Sequence, residues 1–370
     1  MNHPAKSTCP YFDLPDSSRW DRTMAGSPLL EISPHTSSSL RITPATRVGS
    51  GGSCFAQNIT TALRARGYNY FITEGAPPYM SEDLAIKNNY GIFSARYGNL
   101  YTSLQWLQLI QRAVGSFTPG DQFWSDGKGR YFDLLRPRIT LRGFSSQPEM
   151  EADVRQHLRA VKTLFEQVDV FVFTLGLTEG WQSTADGTIY PTCPGCGSAG
   201  DFDPTKYVFR NFSVAETTDH LSQAVQMLAS LNPAANIILT VSPVPLIATM
   251  ERRHVLQATT YSKSVLRVAA EQIALAFDNV HYFASFEIIT ETCNTQSYFA
   301  DDRRSVTQDG IEHVMKCFFE LYGCTSKPNQ NTTDSSPTNT GCVTKQGAGI
   351  ICDEEDFFRA VAEAREAGKH

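Results

Sequence analysis

Two runs of apolar residues are the sequence feature that most limits the possible folds. Residues 168–175 are apolar except for Asp169 and Thr174 and are rich in β-branched valine, and residues 236–241 form a second run. Such runs, without polar alternation, are typical of parallel strands that are covered on both faces. Apolar residues at helical spacing lie between the runs and after them. This alternation predicts an α/β fold with a parallel, doubly wound central sheet.

A strand-turn-helix pattern begins the globular part of the chain. Residues 46–52 predict a short strand that ends in glycines, and Phe55, Ile59 and Leu63 follow at helical spacing. Composition changes along the chain then predict the domain boundaries. In chain order we expect an extended lead-in (1–44), one α/β domain (45–324) with insertions near 115–148 and 182–212, a flexible linker (325–352) and a short acidic helix (353–370).

Composition excludes several classes of partner. The 370 residues carry a formal charge of -6, and nucleic-acid surfaces usually need a basic excess. No run reaches the roughly 18 apolar residues of a membrane span, and the first residues lack the apolar segment of a signal peptide. We therefore expect a cytoplasmic protein with no nucleic-acid partner. Nine irregularly spaced cysteines then favour free thiols over a disulfide framework.

Cys54 is the first candidate for chemistry. It follows Gly51, Gly52 and Ser53, at the predicted turn from a strand into a helix. A helix N-terminus favours the thiolate, which is the nucleophilic form of cysteine, and glycines let the backbone approach a substrate. The alternative is a buried cysteine behind a glycine-rich turn. A phosphate loop is disfavoured because its Lys-Ser/Thr ending is absent.

Three further polar residues follow predicted strands or precede the last helix. Glu179 comes directly after the first apolar run, where it would orient a base or bind a substrate; a turn capped by Thr178 is the alternative. His254 follows the second run, and histidine is the commonest general base near neutral pH; a helix cap or an exposed residue is the alternative. The charged stretch that includes Asp302 precedes the last predicted helix, and exposed charge is its alternative.

Cys193 and Cys196 form a single CxxC pair. A closed zinc site needs four ligands, and no second CxxC or HxxxH pattern supplies the others. We therefore expect neither a metal nor another cofactor, while a disulfide or a redox role for the pair stays open.

Five segments taken together resemble the GSCFA family, a branch related to the SGNH (GDSL-like) hydrolases. They occur in order within residues 45–320, and they are residues 52–56 (GSCFA), 93–101 (FSARYGNLY), 176–179 (GLTE), 242–246 (SPVPL) and 261–267 (YSKSVLR). The resemblance implies a three-layer, flavodoxin-like sandwich with a parallel central sheet.

The resemblance also implies roles for single residues. Cys54 takes the place of the nucleophilic serine of SGNH hydrolases, and Ser53 takes the place of the aspartate before it. Gly98 is the candidate for the oxyanion-hole glycine, with Asn99 beside it. Thr178 replaces the oxyanion-hole asparagine and is a weaker donor.

The last conserved block of SGNH hydrolases, Asp-x-x-His, shows the main departure. Asp302 keeps the place of the aspartate, but Ser305 replaces the histidine and is counted only as a binding candidate. His254 is then the best substitute base, with Asp302 or Glu179 to orient it. Because a thiolate needs less help from a base than a serine hydroxyl does, the departure leaves thiol chemistry open.

These assignments predict an acyl-transfer enzyme, either a hydrolase or an acyltransferase. Cys54 would attack an ester or thioester carbonyl, and backbone N–H groups with Asn99 or Thr178 would stabilise the oxyanion. The substrate would be a small molecule or a carbohydrate or acyl compound, and the sequence indicates no oligomeric state. The alternative is a catalytically inactive binding or scaffold protein on the same fold, with carbohydrate as its candidate ligand.

Overall fold

A four-stranded parallel sheet forms the centre of the computed structural model, which describes residues 9–35, 37–140, 142–195, 200–290 and 298–323. In chain order the strands are β1 (Val48–Gly52), β2 (Phe123–Ser125), β3 (Tyr131–Asp133), β4 (Val170–Leu175), β5 (Glu179–Ser183), β6 (Ile189–Tyr190), β7 (Tyr207–Asn211), β8 (Asn236–Val241) and β9 (Val280–Phe283). The helices are α1 (Trp20–Thr23), α2 (Ala56–Ala65), α3 (Glu82–Lys87), α4 (Ser103–Val114), α5 (Gln147–Gln167), α6 (Val214–Leu231), α7 (Val255–Ala276), α8 (Ser285–Thr290) and α9 (Gln308–Tyr322).

The central sheet has the order β1-β4-β8-β9, and each neighbouring pair is parallel. On the other side of β1, Val48 forms a parallel bridge with Tyr70, supported by a 2.8 Å hydrogen bond from Phe71 N–H to Val48 O. The segment of Tyr70, which follows β1 and α2 in the chain, thus pairs with one side of β1. The later strand β4 pairs with the opposite side. The carboxyl ends of β1 and β4 are therefore the topological switch point, where open α/β sheets bind ligands. The predicted parallel, doubly wound sheet is confirmed.

Helices cover both faces of this sheet, which confirms the predicted three layers. On one face, α4, α5, α6 and α7 pack against strand residues such as Phe171 and Leu239. On the other face, α2 and α9 pack against the alternate residues, such as Val172 and Ile238. β4 is buried at every position. Burial on both faces explains why its sequence shows no polar alternation.

Two small antiparallel sheets lie outside the central sheet: β2 pairs with β3, and β5 lies between β6 and β7. The end of the lead-in contacts α9. There Lys316 Nζ donates to Leu30 O at 2.7 Å, and Ile42 N–H donates to Tyr322 O at 2.7 Å. The expected linker and acidic helix, residues 325–370, lie outside the described residues.

Candidate active site

The turn after β1 carries Ser53 and Cys54 to the carboxyl edge of the sheet. Gly52 ends β1 with a φ of +128°, and a Cβ at this position would overlap the backbone of Thr174 in β4. Only glycine fits here, because this φ and the close backbone approach both exclude a side chain. The chain then turns at once into α2, since Ser53 O accepts from Ala56 N–H at 2.9 Å.

Cys54 precedes Phe55, the N-cap residue of α2, and 7 % of its surface is exposed. The N–H groups of the first turn of a helix have no partners within that helix, and they give its N-terminus a partial positive charge. A thiolate at such a position is stabilised relative to the thiol. The sequence therefore folds so that the glycine-rich turn and the helix N-terminus meet at the cysteine.

The loop that carries Gly98 and Asn99 lies beside this turn. Leu100 N–H donates to Gly52 O at 2.8 Å, and Gln57 Nε2 donates to the buried Asn99 Oδ1 at 3.3 Å. Gly98 has a φ of +70°, in the left-handed region that glycine adopts most readily. The structure thus brings the second family-like segment next to the first.

A network of buried charges supports this loop. Arg96 is buried, and its N–H donates to Glu74 Oε2 at 2.8 Å while its Nη1 donates to Asp153 at 2.8 Å. Arg136, also buried, donates to Asp153 at 2.7 Å and to Arg96 O at 3.3 Å. His157 Nδ1 lies 2.7 Å from Glu74 Oε2. The network ties α5 and the first insertion to the segment that positions the glycine and the asparagine.

The pKa values of His157 and Glu74 in this network are shifted. Burial disfavours the imidazolium of His157 and Arg136 repels it, so the pKa of His157 falls to about 4. Burial by itself would raise the pKa of Glu74, but the hydrogen bond to His157 and nearby positive charge outweigh it and lower the pKa to about 2. At neutral pH a neutral imidazole therefore donates its Nδ1–H to the carboxylate of Glu74.

Gly176, the residue after β4, touches the turn that carries the cysteine. A Cβ on Gly176 would stand 3.1 Å from Ser53 Cβ and 3.1 Å from Tyr101 O. The N–H groups of Gly176 and Leu177 both donate to Tyr101 O, at 3.0 and 3.1 Å. The hydroxyl of Ser53 is buried and has no hydrogen-bond partner among the described residues. Three of the family-like segments therefore meet at one point of the sheet edge.

Thr178 and Glu179 are held by neighbours within the protein. The buried Thr178 donates its N–H to Ser262 Oγ at 3.0 Å and its hydroxyl proton to Asn211 Oδ1 at 2.7 Å. A hydroxyl has one proton, so Thr178 as placed has none to offer an oxyanion. Glu179 is half-buried and accepts from Thr249 Oγ1 at 2.6 Å. Burial raises the pKa of the Glu179 carboxyl.

His254 is an exposed helix cap. It stands at the N-cap of α7, where its Nδ1 accepts from Leu256 N–H at 3.1 Å. Among the described residues, it hydrogen-bonds to neither Asp302 nor Glu179, the carboxylates that were expected to orient it. The expected alignment of base and carboxylate is therefore absent from this arrangement.

Asp302 and Ser305 pair with each other instead. Both are exposed, and Asp302 Oδ1 accepts from Ser305 N–H at 2.9 Å while its Oδ2 accepts from the Ser305 hydroxyl. The hydrogen bond from this hydroxyl is the main reason that the pKa of Asp302 is lowered. Arg304 Nε donates to Pro245 O at 3.2 Å, so this loop lies against the one that follows β8.

Two buried residues of α7 were not assigned a role from the sequence. Ser262 accepts from the turn after β4, and Lys263 Nζ donates to Gly176 O at 2.5 Å. The sequence signal that could have identified them is their position. Both lie in the helical stripe of the buried Ala258 and Leu266 and inside the segment YSKSVLR. Polar residues on the apolar face of a helix mark places where a hydrogen bond or a charge is used.

Other sequence expectations concern metals and membranes. Cys193 is half-buried, whereas its CxxC partner Cys196 lies outside the described residues. Within the described ranges, no group of three or more His, Cys, Asp or Glu side chains is arranged to hold a metal ion. In that same part of the chain, no helix is both long and apolar enough to cross a membrane.

The sequence profile of the GSCFA family matches residues 47–318, which is well over half of the chain and includes all the candidate site residues. This confirms the resemblance drawn from the five segments. No curated protein matches the sequence.

Three solved structures show a distant likeness. A protein from Streptococcus pneumonia with the provisional name platelet activating factor is 15% identical, has a TM-score of 0.27, and is matched over 59% of this chain and 89% of its own. A carbohydrate esterase family 2 enzyme with a carbohydrate binding domain, from Corynascus thermopiles (Myceliophthora fergusii), is 15% identical over 77% of this chain and 67% of its own, with a TM-score of 0.25. An acetyl xylan esterase from Butyrivibrio proteoclasticus is 12% identical over 65% and 55%, with a TM-score of 0.24.

Proposed function

The chain belongs to the GSCFA family, and on that basis we propose that it is an acyl-transfer hydrolase whose nucleophile is Cys54. The observation that carries the proposal is the position of Cys54 at the N-terminus of α2, at the switch point of the sheet and beside the loop of Gly98 and Asn99. A helix N-terminus supports a thiolate, and the carboxyl edge at a switch point is where such folds bind ligands.

In the proposed reaction, the Cys54 thiolate attacks the carbonyl carbon of an ester or a thioester. Backbone N–H groups near Cys54 and near Gly98 stabilise the oxyanion, together with the Asn99 amide that Gln57 orients. When the intermediate collapses, the alcohol or thiol leaves with a proton from the solvent, and the acyl group stays on sulfur. Attack by water releases the carboxylic acid and restores the thiol; a sugar hydroxyl or an amine in place of water gives acyl transfer.

The proposed substrate is an ester or thioester of a small molecule or a carbohydrate, and the proposed location is the cytoplasm. A reducing compartment keeps a nucleophilic thiol from being oxidised to a disulfide.

Selective alkylation tests the nucleophile. Native protein is treated with iodoacetamide across a range of pH, and each cysteine is quantified by peptide mass spectrometry. Accessibility alone predicts that the exposed Cys9 reacts faster than the buried Cys54. We expect the reverse order, because the thiolate is the reactive form. If Cys54 reacts no faster than Cys9 at any pH, Cys54 is not an activated nucleophile.

Capture of the acyl-enzyme identifies the substrate class. The protein is incubated with pools of acyl esters and acyl thioesters, and its intact mass is measured. We expect a covalent adduct on Cys54 whose mass gives the acyl group and which is lost in Cys54→Ala. An adduct that persists in Cys54→Ala would assign the chemistry to another residue.

A second candidate function is a binding or scaffold protein on a hydrolase fold. The observation that favours it is the arrangement of the remaining polar groups: Thr178 donates to Asn211, Asp302 pairs with Ser305, and His254 caps a helix. For this candidate we expect ester or carbohydrate ligands to raise the unfolding temperature while no acyl adduct forms.

A further inference from the structure

Lys263 is buried to a degree that is unusual for lysine. It lies in α7 with 3 % of its surface exposed, beside the buried Leu266 and Ala270. Lysine is rarely buried so fully, because its ammonium gives up hydration. An apolar side chain of similar length would fill the same space without that cost. The charge at this position therefore needs an explanation beyond packing.

The ammonium of Lys263 lies at the sheet edge that carries the proposed nucleophile. Its Nζ donates to Gly176 O at 2.5 Å. Gly176 in turn touches Ser53, whose Cβ lies 3.1 Å from the position that a Gly176 Cβ would take. Gly176 thus contacts both Lys263 Nζ and the turn of Ser53 and Cys54.

Anchoring of the turn after β4 does not by itself require this charge. Ser262, the preceding residue of α7, already holds the turn by accepting from Thr178 N–H at 3.0 Å. What Lys263 adds to this uncharged anchor is a positive charge in a partly desolvated site, where charge interactions are stronger than in water.

We propose that Lys263 is a positioning residue for Cys54, whose ammonium stabilises the thiolate that the proposed reaction requires. In this sequence Ser305 replaces the histidine of the Asp-x-x-His block, so that residue offers no positive charge. In this step the thiol proton passes to water. The inference rests on the proposed function, because it concerns the same nucleophile.

Other charged groups on the segments around this edge have partners of their own. Glu179 accepts from Thr249, and Glu251 accepts from Asn211 Nδ2 at 3.1 Å. Arg304 donates to the backbone of the loop after β8. Variants of Lys263 keep all these groups. A difference in Cys54 reactivity between such a variant and the wild type therefore reports the charge of the lysine.

Lys263→Gln is the main test, because glutamine keeps a donor for Gly176 O but carries no charge. The rate of Cys54 alkylation by iodoacetamide is measured as a function of pH, with peptide mass spectrometry. A nearby ammonium in a partly desolvated site favours a thiolate about tenfold. We therefore expect the midpoint of the pH–rate profile to rise by about one pH unit, with the plateau at high pH unchanged.

Ser262→Ala is the matched control, because it removes the uncharged anchor of the same turn and keeps the ammonium. Its midpoint is expected to stay at the wild-type value. Lys263→Met, which is uncharged and close in length to lysine, is expected to give the same rise as Lys263→Gln and serves if the glutamine variant does not fold. Circular dichroism and thermal unfolding verify the fold of each variant.

The inference is overturned if a folded, uncharged Lys263 variant has the same pH–rate profile as the wild type. It is also overturned if Ser262→Ala raises the midpoint as much as Lys263→Gln does. The proposed function itself fails on a different result, namely that Cys54→Ala retains acyl-transfer activity. Because alkylation is measured without substrate, the two outcomes can be told apart.

Discussion

His157 makes the stability of this protein depend on pH in a defined direction. The side chain is fully buried, and burial together with Arg136 lowers its pKa to about 4. In the unfolded chain a histidine titrates near about 6.5. Between these values the unfolded chain binds a proton that the folded chain does not. The free energy of unfolding therefore falls as the pH falls from about 6.5 towards 4. The contribution of His157 to stability is fully present above about pH 6.5.

The size of this effect follows from the two pKa values. One pKa unit corresponds to about 1.4 kcal/mol, so the shift of His157 removes about 2 kcal/mol of stability between neutral pH and about pH 5. His157→Gln removes the titration but keeps a side-chain N–H for the carboxylate of Glu74. We expect the loss of unfolding free energy between about pH 7.5 and about pH 5 to be about 2 kcal/mol smaller in the variant.

Urea unfolding at the two pH values, followed by circular dichroism, measures this difference. The comparison uses the change with pH, so a constant loss of stability in the variant does not affect it. His254→Gln, at an exposed helix cap, is the control for removing a histidine outside the buried network. If wild type and His157→Gln lose the same free energy between the two pH values, the fold does not hold His157 neutral and the reasoning is wrong.

Two further substitutions test the architecture around the site. Gly52→Ala places a Cβ against the backbone of Thr174 at a φ that only glycine tolerates, so we expect a loss of more than about 3 kcal/mol or no folded protein, measured by thermal unfolding. A variant as stable as the wild type would mean that the turn differs from the one described. Arg136→Met leaves the buried carboxylate of Asp133 without its cation at 2.7 Å, which we expect to cost about 3–5 kcal/mol in urea unfolding. Arg155→Met, at an exposed position, should change stability by less than about 0.5 kcal/mol, and equal losses in the two arginine variants would contradict the role of the buried network.

Some features of the fold could be predicted because they leave local marks in the sequence. A strand that is buried on both faces has no polar position, so β4 was visible as an unbroken apolar run. The bridge between Val48 and Tyr70 left no such mark, because a single paired residue has no pattern of its own. Yet this bridge is what makes the ends of β1 and β4 the switch point.

The sequence by itself determined the parallel sheet, the family, and the place of Cys54 at a glycine-rich turn. Each of these depends on residues that are close together in the chain: apolar periodicity, ordered short motifs, or the backbone freedom of Gly52. The order of the motifs also located the substitution of the expected histidine by Ser305.

Only the tertiary structure decided which polar groups pair at the sheet edge. The hydroxyl of Thr178 donates to Asn211, 33 residues away, and Lys263 donates to Gly176, 87 residues away. Each of these groups has several possible partners, and the choice depends on the positions of segments that only packing of the core brings together. For this reason the sequence identified the proposed nucleophile, but the charge proposed to stabilise it became visible only in the fold.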